Sequence, residues 1–414
     1  MSDVYVLGVG MTPFGKHLDT SCSELARSAT RLALDDAGID VKDVGATFYA
    51  NTAQGSVEGQ HGVKGQHALR PMGIEGGPFY NIENACTGSS SALNLAWLQV
   101  AAGQIDIALV VGAEKLNTTD REKKFATFNQ PADLAAAKLF VDRYWDDVAD
   151  IQPPPQVQID EAMRGVFMDI YSIQARLHMK RFGTTWEQIA MASAKNHKHS
   201  VQNPLSQYRN EVSVEQVLAA KVISWPLTIP MCSPISDGAS AAVICSAQAL
   251  QRLGRKSGDQ VKLLASAMCS GTTRDIADVE DSALRRAAKA AYLQAGISPA
   301  DISVAEVHDA SAFAEIPHIE LLGLCEIGGG GRYIESGAAS FGGRTPVNLS
   351  GGLQSKGHPV AATGLAQVYE LTRQLRGQAE GRTVDGARHA IASNGGGFMG
   401  VEEAVSVVTI LGRA

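Results

Sequence analysis

The chain has 414 residues, 45% of them apolar and 19% charged, with a formal net charge of −7. That length and composition point to a folded chain of two or three domains and exclude a disordered one. The acidic balance argues against non-specific nucleic-acid binding, and no apolar run approaches the ~18 residues of a membrane span. Forty-two glycines, about a tenth of the residues, exceed the usual ~7% and predict many tight turns and close backbone approaches.

Residues 4–10 (VYVLGVG) read as a first strand with no basic leader, so no signal peptide is expected and the chain is assigned to the cytoplasm. Residues 25–50 run through an apolar-periodic helix to Gly38, a short loop and a strand-like ATFYA. Residues 87–103 place Leu93, Ala96, Trp97, Val100 and Ala101 on one helical face, and 105–111 form an apolar run suited to a strand covered on both sides. Residues 117–231 differ in texture: they hold Pro153 to Pro155, charged clusters and weaker periodicity, as in an inserted, partly helical loop region. A basic concentration lies there at Arg176, His178, Lys180, Arg181, Lys195, His197, Lys198 and His199. It reads either as a solvated helix face or as a seat for a phosphorylated ligand. His197 and His199 would share a face only on a strand and lack a carboxylate or thiol companion, so no metal site is expected.

The second half repeats the first. Residues 283–310 give a helix ending at Gly296, a short loop and a strand, and 361–377 give a helix followed by an apolar strand at 387–393. Two copies of an α/β unit imply a pseudo-symmetric double domain. Its halves are residues 1–116, completed by about 232–258, and residues 259–414, with 117–231 inserted.

Four segments carry candidate chemistry. Cys86, in NACTGSSSA at 84–92, precedes a helix whose free amides and dipole can stabilise a thiolate. The other five cysteines (Cys22, Cys232, Cys245, Cys269 and Cys325) form no C-x-x-C pair and read as free thiols. His358, in SGGLQSKGHPVAATG at 350–364, holds the equivalent place in the second half. A cysteine and a histidine facing each other across a pseudo-dyad make an activated nucleophile. His308, in HDAS at 308–311, and SNGGG at 393–397 lie at strand ends, where glycine-rich backbone can aim amides at an oxyanion.

These motifs resemble the thiolase superfamily along essentially the whole chain. NACTGSSSA is similar to its nucleophilic-cysteine motif, and GHPVAATG at 357–364 to its catalytic-histidine motif. His308 with Asp309, NHKHS at 196–200, Asn203 with Pro204 and CSPISDGASA at 232–241 resemble the sterol-carrier-protein branch. The resemblance implies an α/β thiolase fold, a duplicated αβαβα five-layered architecture. It implies an acyltransferase that cleaves or forms a C–C bond in a 3-oxoacyl-CoA. Cys86 would be acylated, His358 would activate it, and His308 would help bind the thioester oxygen. The amides of Cys86 and Gly395 would form an oxyanion hole. Coenzyme A would be a substrate, with no permanently bound cofactor, resting on Arg176, Lys180, Lys195, Lys198, Ser350 and Gly351.

One departure stands out. Thiolases use a second cysteine as acid/base, but its two usual places hold Ala310 and Ser393, and a serine hydroxyl is a far weaker base. Chains of this kind resemble subunits that work with a small zinc-binding OB-fold protein, and among them this chain looks most like the catalytic subunit of a 2-benzoylsuccinyl-CoA thiolase. A homodimer is expected by resemblance. The alternatives are a retro-aldolase on the same fold, acting on a CoA thioester, and a non-catalytic acyl-CoA-binding scaffold.

Overall fold

The computed structural model describes residues 2–120, 127, 133–160 and 164–413; part of the inserted region therefore lies outside the described residues. The strands are β1 (Val4–Met11), β2 (Ala46–Ala50), β3 (Phe79–Ile82), β4 (Ile107–Glu114), β5 (Val222–Ser224), β6 (Leu227–Thr228), β7 (Gly238–Ser246), β8 (Val261–Ser270), β9 (Val304–Glu306), β10 (His389–Gly396) and β11 (Val405–Arg413). Nine of them form one mixed sheet in the order β3-β2-β4-β7-β1-β8-β11-β10-β9.

That order is a near-palindrome about the β1/β8 junction. On one side β2 and β4 are parallel, while β4–β7 and β7–β1 are antiparallel. On the other, β9 and β10 are parallel, while β10–β11 and β11–β8 are antiparallel. A lone parallel bridge from Ala305 to Val347 stands where β3 stands beside β2. Within the sheet the halves are joined by two residue pairs, Tyr5 with Lys262 and Val6 with Val261. The local echo is equally close: the helices Cys22–Ala37 and Ala283–Ala295 both end on left-handed glycines, Gly38 at φ 59° and Gly296 at φ 68°.

Strand residues alternate between faces, so each half-sheet feeds two cores. Tyr5, Leu7, Leu109 and Val243 pack against the Cys22–Ala37 helix. Ala265, Ile391, Val408 and Ile410 pack against the Ala283–Ala295 helix. The opposite faces of both half-sheets, through Val6, Phe48, Val110, Leu263 and Ala390, converge on one central core. The helices Gly88–Ala101 and Thr363–Leu375 fill it, through Leu93, Trp97, Leu365 and Leu371. Helix, sheet, paired helices, sheet, helix: the five layers are the duplicated architecture that the sequence implies. Residues 117–231 carry the helices Leu134–Tyr144, Val166–Phe182, Trp186–Ser200 and Val214–Ala219. Among the described residues, no helix is long and apolar enough to cross a membrane.

The two central helices touch through small residues at their N-terminal ends. A Cβ placed on Gly364 would lie 1.9 Å from Ser90 Oγ and 2.8 Å from Asn394 Oδ1. Gly364→Ala is therefore expected to destabilise the chain by ~1–3 kcal/mol, the usual cost of overpacking. Gly62→Ala, whose added Cβ would meet nothing within 4 Å, should shift stability by less than ~0.5 kcal/mol. Urea unfolding of the two variants checks the contrast, and equal midpoints would sink it.

Candidate active site

Cys86 lies in a 3₁₀ turn, Ala85–Thr87, that runs straight into the Gly88–Ala101 helix. The turn is strained: Ala85 has φ +48°, a left-handed value that a non-glycine residue adopts at a cost of roughly 1–3 kcal/mol. Glu83 Oε1 accepts from the Ala85 N–H at 2.7 Å, and Thr87 Oγ1 donates to Asn84 O at 2.7 Å, so neighbouring side chains hold the strain in place. His358 sits at the matching position of the other half, before the 3₁₀ turn Val360–Ala362 and the Thr363–Leu375 helix. A parallel bridge to Ile235 and a 3.0 Å hydrogen bond from its N–H to Ser236 Oγ fix its backbone.

The two side chains meet: His358 Nε2 is 3.2 Å from Cys86 Sγ. Thr363 selects the tautomer. Its hydroxyl donates to Pro359 O at 3.2 Å, so at 2.7 Å it accepts from His358 Nδ1–H, leaving the Nε2 lone pair for the thiol proton. His308, just beyond β9, is set the opposite way. Ser90 Oγ donates to Asn394 Oδ1 at 2.7 Å, and the Asn394 amide nitrogen donates to His308 Nδ1 at 2.9 Å. His308 therefore presents Nε2–H as a donor. The His308 and His358 rings stand 5.2 Å apart and nearly perpendicular. The ligand atoms of Cys86, His308 and His358 all lie within 4.8 Å of one another, near enough for a thiophilic cation to cap the sulfur.

Burial sets the resting charges. It pushes the Cys86 thiol up to about 12, helped by the carboxylates of Glu114 and Glu403, although the Gly397 and Cys86 amides donate to the sulfur. Burial, then His308 and Lys356, hold His358 well below the usual histidine range, and burial takes His308 down to about 4. The pair rests as thiol and neutral imidazole, and a proton can pass from Sγ to Nε2 as the sulfur attacks.

A cavity of about 390 Å³ opens from these groups. Its walls include Phe167, Met168, Ile170, Tyr171, Phe313 and Phe398, and Cys86 is the single cysteine among them. Gly395 also lines it, but the amide that meets the sulfur, besides that of Cys86, belongs to Gly397.

With this geometry in view, the comparisons with known proteins are decisive. A thiolase N-terminal domain model matches residues 4–223, and a thiolase C-terminal domain-like model matches residues 265–413. The chain belongs to the thiolase family. An acetyl-CoA acetyltransferase of Methanothermobacter thermautotrophicus is 36% identical, over 97% of this chain and 98% of its own. Human sterol carrier protein 2 is 35% identical over 98% of this chain and 71% of its own, which places the chain with the sterol-carrier-protein branch. Benzoylsuccinyl-CoA thiolase subunit BbsB of Thauera aromatica is 32% identical over 92% and 91%. Among solved structures, the Ltp2-ChsH2(DUF35) aldolase superposes with TM-score 0.75 at 21% identity, covering 99% of this chain and 98% of that one. Human mitochondrial 3-ketoacyl-CoA thiolase in complex with CoA gives 0.68 at 15%, covering 100% and 98%; both structural likenesses speak to the fold alone. The protein is an acyl-CoA C-acyltransferase of the thiolase type.

The structure corrects most of the expected coenzyme A seat of this thiolase. Lys195 is buried, 3.0 Å from Glu315, and donates to Val347 O at 2.7 Å. Ser350 is buried against Glu306 and Lys356, and a Cβ on Gly351 would lie 2.5 Å from Ser200 Cβ. Arg176 is buried with its guanidinium 4.5 Å from the centre of the Trp145 ring, and Lys198, although exposed, does not line the cavity. Of that set only Lys180 does, from the solvent edge. His199 is structural, its Nδ1 donating to Asn348 O and its Nε2 accepting from the Phe341 N–H. Ser393 is fully buried, with Oγ 2.9 Å from His318 Nδ1. His318 and Glu403, both on the cavity wall, escape the sequence reading because no motif spacing links residues 85 positions apart.

A thiol held at about 12 beside a neutral imidazole gives a specific pH response. A raised thiol pKa means that thiolate grows as pH rises toward that value. Alkylation of Cys86 by iodoacetamide should therefore climb about tenfold per pH unit from pH 7 to 10. A plateau between pH 5 and 8, the mark of a preformed thiolate–imidazolium pair, would contradict it.

Proposed function

We propose that this thiolase cleaves a 3-oxoacyl-CoA carrying a bulky, apolar or aromatic acyl group, with coenzyme A as the acyl acceptor and a thioester on Cys86 as the intermediate. The carrying observation is the 3.2 Å contact between Cys86 Sγ and His358 Nε2, with the tautomer set by Thr363. Sγ attacks the C3 carbonyl as its proton passes to Nε2. The Nε2–H of His308 is the donor for the thioester oxygen of the departing enolate, and the Cys86, Gly395 and Gly397 amides face the oxyanion at C3. The aromatic and aliphatic walls of the cavity support the choice of acyl group. The likeness to the benzoylsuccinyl-CoA thiolase subunit supports an aromatic one, with benzoylsuccinyl-CoA as the first candidate. Lys180 and Arg181, at the cavity, are the cations for the coenzyme's charged end.

A homodimer is proposed through the open edge of β3, whose Tyr80 is exposed, as are Leu95 and Leu98 on the Gly88–Ala101 helix. A small zinc-binding OB-fold accessory subunit is proposed as well. BbsB is by name one subunit of its thiolase, and the Ltp2-ChsH2(DUF35) aldolase is by name a two-component assembly. The absence of a thiol at Ala310 and Ser393 keeps a second reading in view: aldol cleavage of a CoA thioester, which consumes no coenzyme A.

Mass spectrometry of the protein after incubation with 3-oxoacyl-CoAs should show an acyl adduct on Cys86. Cys86→Ala should lose the adduct and the turnover, and His358→Ala should lower turnover by about 10²–10⁴-fold. Two thioester products with coenzyme A consumed support thiolysis. Turnover retained by Cys86→Ala, with release of a ketone or aldehyde, overturns it in favour of aldol cleavage.

A further inference from the structure

Thiolysis moves two protons besides the one shared by Cys86 and His358. The enolate leaving group must gain one at C2, and the coenzyme A thiol must lose one. The places where this family keeps a thiol for that task hold the methyl of Ala310 and the buried hydroxyl of Ser393. Around Ser393, however, the fold assembles a relay. Its Oγ is 2.9 Å from His318 Nδ1, and His318 Nε2 is 3.1 Å from Glu403 Oε1. The other carboxylate oxygen accepts the hydroxyl of Ser406.

Three observations place this relay at the reaction centre. His318 and Glu403 line the cavity that holds Cys86, His308 and His358. The Glu403 side chain is 24% exposed, against 6% for His318, so the carboxylate is the more open end. Glu403 Oε1 also occupies space that only a glycine leaves free, 1.8 Å from where a Cβ on Gly395 would stand. Its charge reaches both Cys86 and His308. Burial is the largest single influence and works to raise the carboxyl, but His318, His308 and the Ser406 hydroxyl together keep Glu403 below the usual range.

We propose that Glu403, held by His318, is the second acid/base of this thiolase and takes the part of the missing cysteine. The inference rests on the Cys86 thioester reading above. In the cleavage direction the His318–Glu403 pair enters carrying one proton, with Ser393 Oγ accepting from His318 Nδ1–H and Glu403 accepting from Nε2–H. Cys86 Sγ, its proton passed to His358, bonds to C3. The C2–C3 bond breaks, and its electron pair remains on C2 as the thioester enolate. The proton moves from His318 Nε2 to Glu403 and from the carboxyl to C2, releasing the shortened acyl-CoA. The carboxylate then takes the S–H proton of coenzyme A, whose sulfur bonds to the acyl carbon, and returns that proton to His318 Nε2. Cys86 leaves as thiolate and recovers its proton from His358. Both proton carriers end as they began. Glu403 is catalytic in this scheme, whereas His318 and Ser393 are positioning residues.

The test separates nucleophile from base in the full-length protein. In Glu403→Gln, alkylation of Cys86 by iodoacetamide should be at least as fast as in wild type, because the carboxylate helps push the thiol up. Exchange of the C2 protons of acetyl-CoA and succinyl-CoA into D₂O should fall at least about 100-fold, the low end of general-base effects. Glu403→Asp should restore part of the exchange, His318→Gln should lose it with alkylation kept, and Ser393→Ala should lose less than His318→Gln. Wild-type exchange rates in Glu403→Gln would overturn the proposal, as would a parallel loss of alkylation, which would place Glu403 in thiol activation. Failure of the Cys86 thioester itself is seen separately, as no acyl adduct in the wild-type protein.

Discussion

The site depends on how closely two buried helices approach at their N-terminal ends. Cys86 and His358 are 272 residues apart in the chain, yet a hydrogen bond joins them. Such a bond tolerates a few tenths of an ångström of error. Side chains are therefore almost absent from the contact. Gly364 lies against Ser90, Gly88 against the Ala361 methyl, and a Cβ on Gly112 would stand 2.5 Å from Ala361 O. Leu93, Trp97, Leu365 and Leu371 then press the helices together from within the central core. At these three positions glycine is what lets the two halves approach so closely.

Beneath the site, the chain buries charges in pairs. Lys356 lies 3.3 Å from Glu306, and Lys195 lies 3.0 Å from Glu315. Asp309, whose carboxyl is pushed up by burial, accepts from the Leu353 N–H and from the side-chain amides of Gln354 and Asn196. These bonds join the strand end carrying His308 to the turn that leads into His358. Removing one partner of such a pair leaves a buried charge uncompensated, at a cost of about 3–5 kcal/mol. The pairs therefore specify one geometry for the loop more than they add stability. They also explain why a lysine in a basic stretch is not a ligand seat: the Trp186–Ser200 helix turns Lys195 inward to Glu315 and leaves Lys198 outside.

That distinction marks the limit of what could be read from the sequence. The duplicated layers were legible because Gly38 and Gly296 end equivalent helices and the strands after them repeat as apolar runs, all local signals. Cys86 and His358 were legible because each opens a small-residue helix in its own half. The fate of a charge was not legible, because helical periodicity tells which residues share a face but not what that face meets. His318 and Glu403 were hidden for the same reason. One lies on the Ala312–Leu321 helix and the other just before β11, and only the packing of helix on sheet joins them.

The two imidazoles beside Cys86 show how one fold draws opposite chemistry from the same side chain. Both are buried and held neutral, so charge does not distinguish them. Their neighbours do. The Thr363 hydroxyl, committed to Pro359 O, can only accept from His358 Nδ1, while the Asn394 amide, committed to Ser90, can only donate to His308 Nδ1. One ring consequently shows the cavity a lone pair and the other an N–H. Low dielectric magnifies the difference, because a buried polar group left without its partner costs far more there than in water. On the function proposed above, a carbonyl entering from the apolar cavity would meet the Cys86 thiol with a lone pair on one side and a hydrogen-bond donor on the other. Ser90 belongs to the cysteine's helix and Asn394 to the strand of the other half, so the tautomer of His308 is itself a consequence of how closely the halves approach.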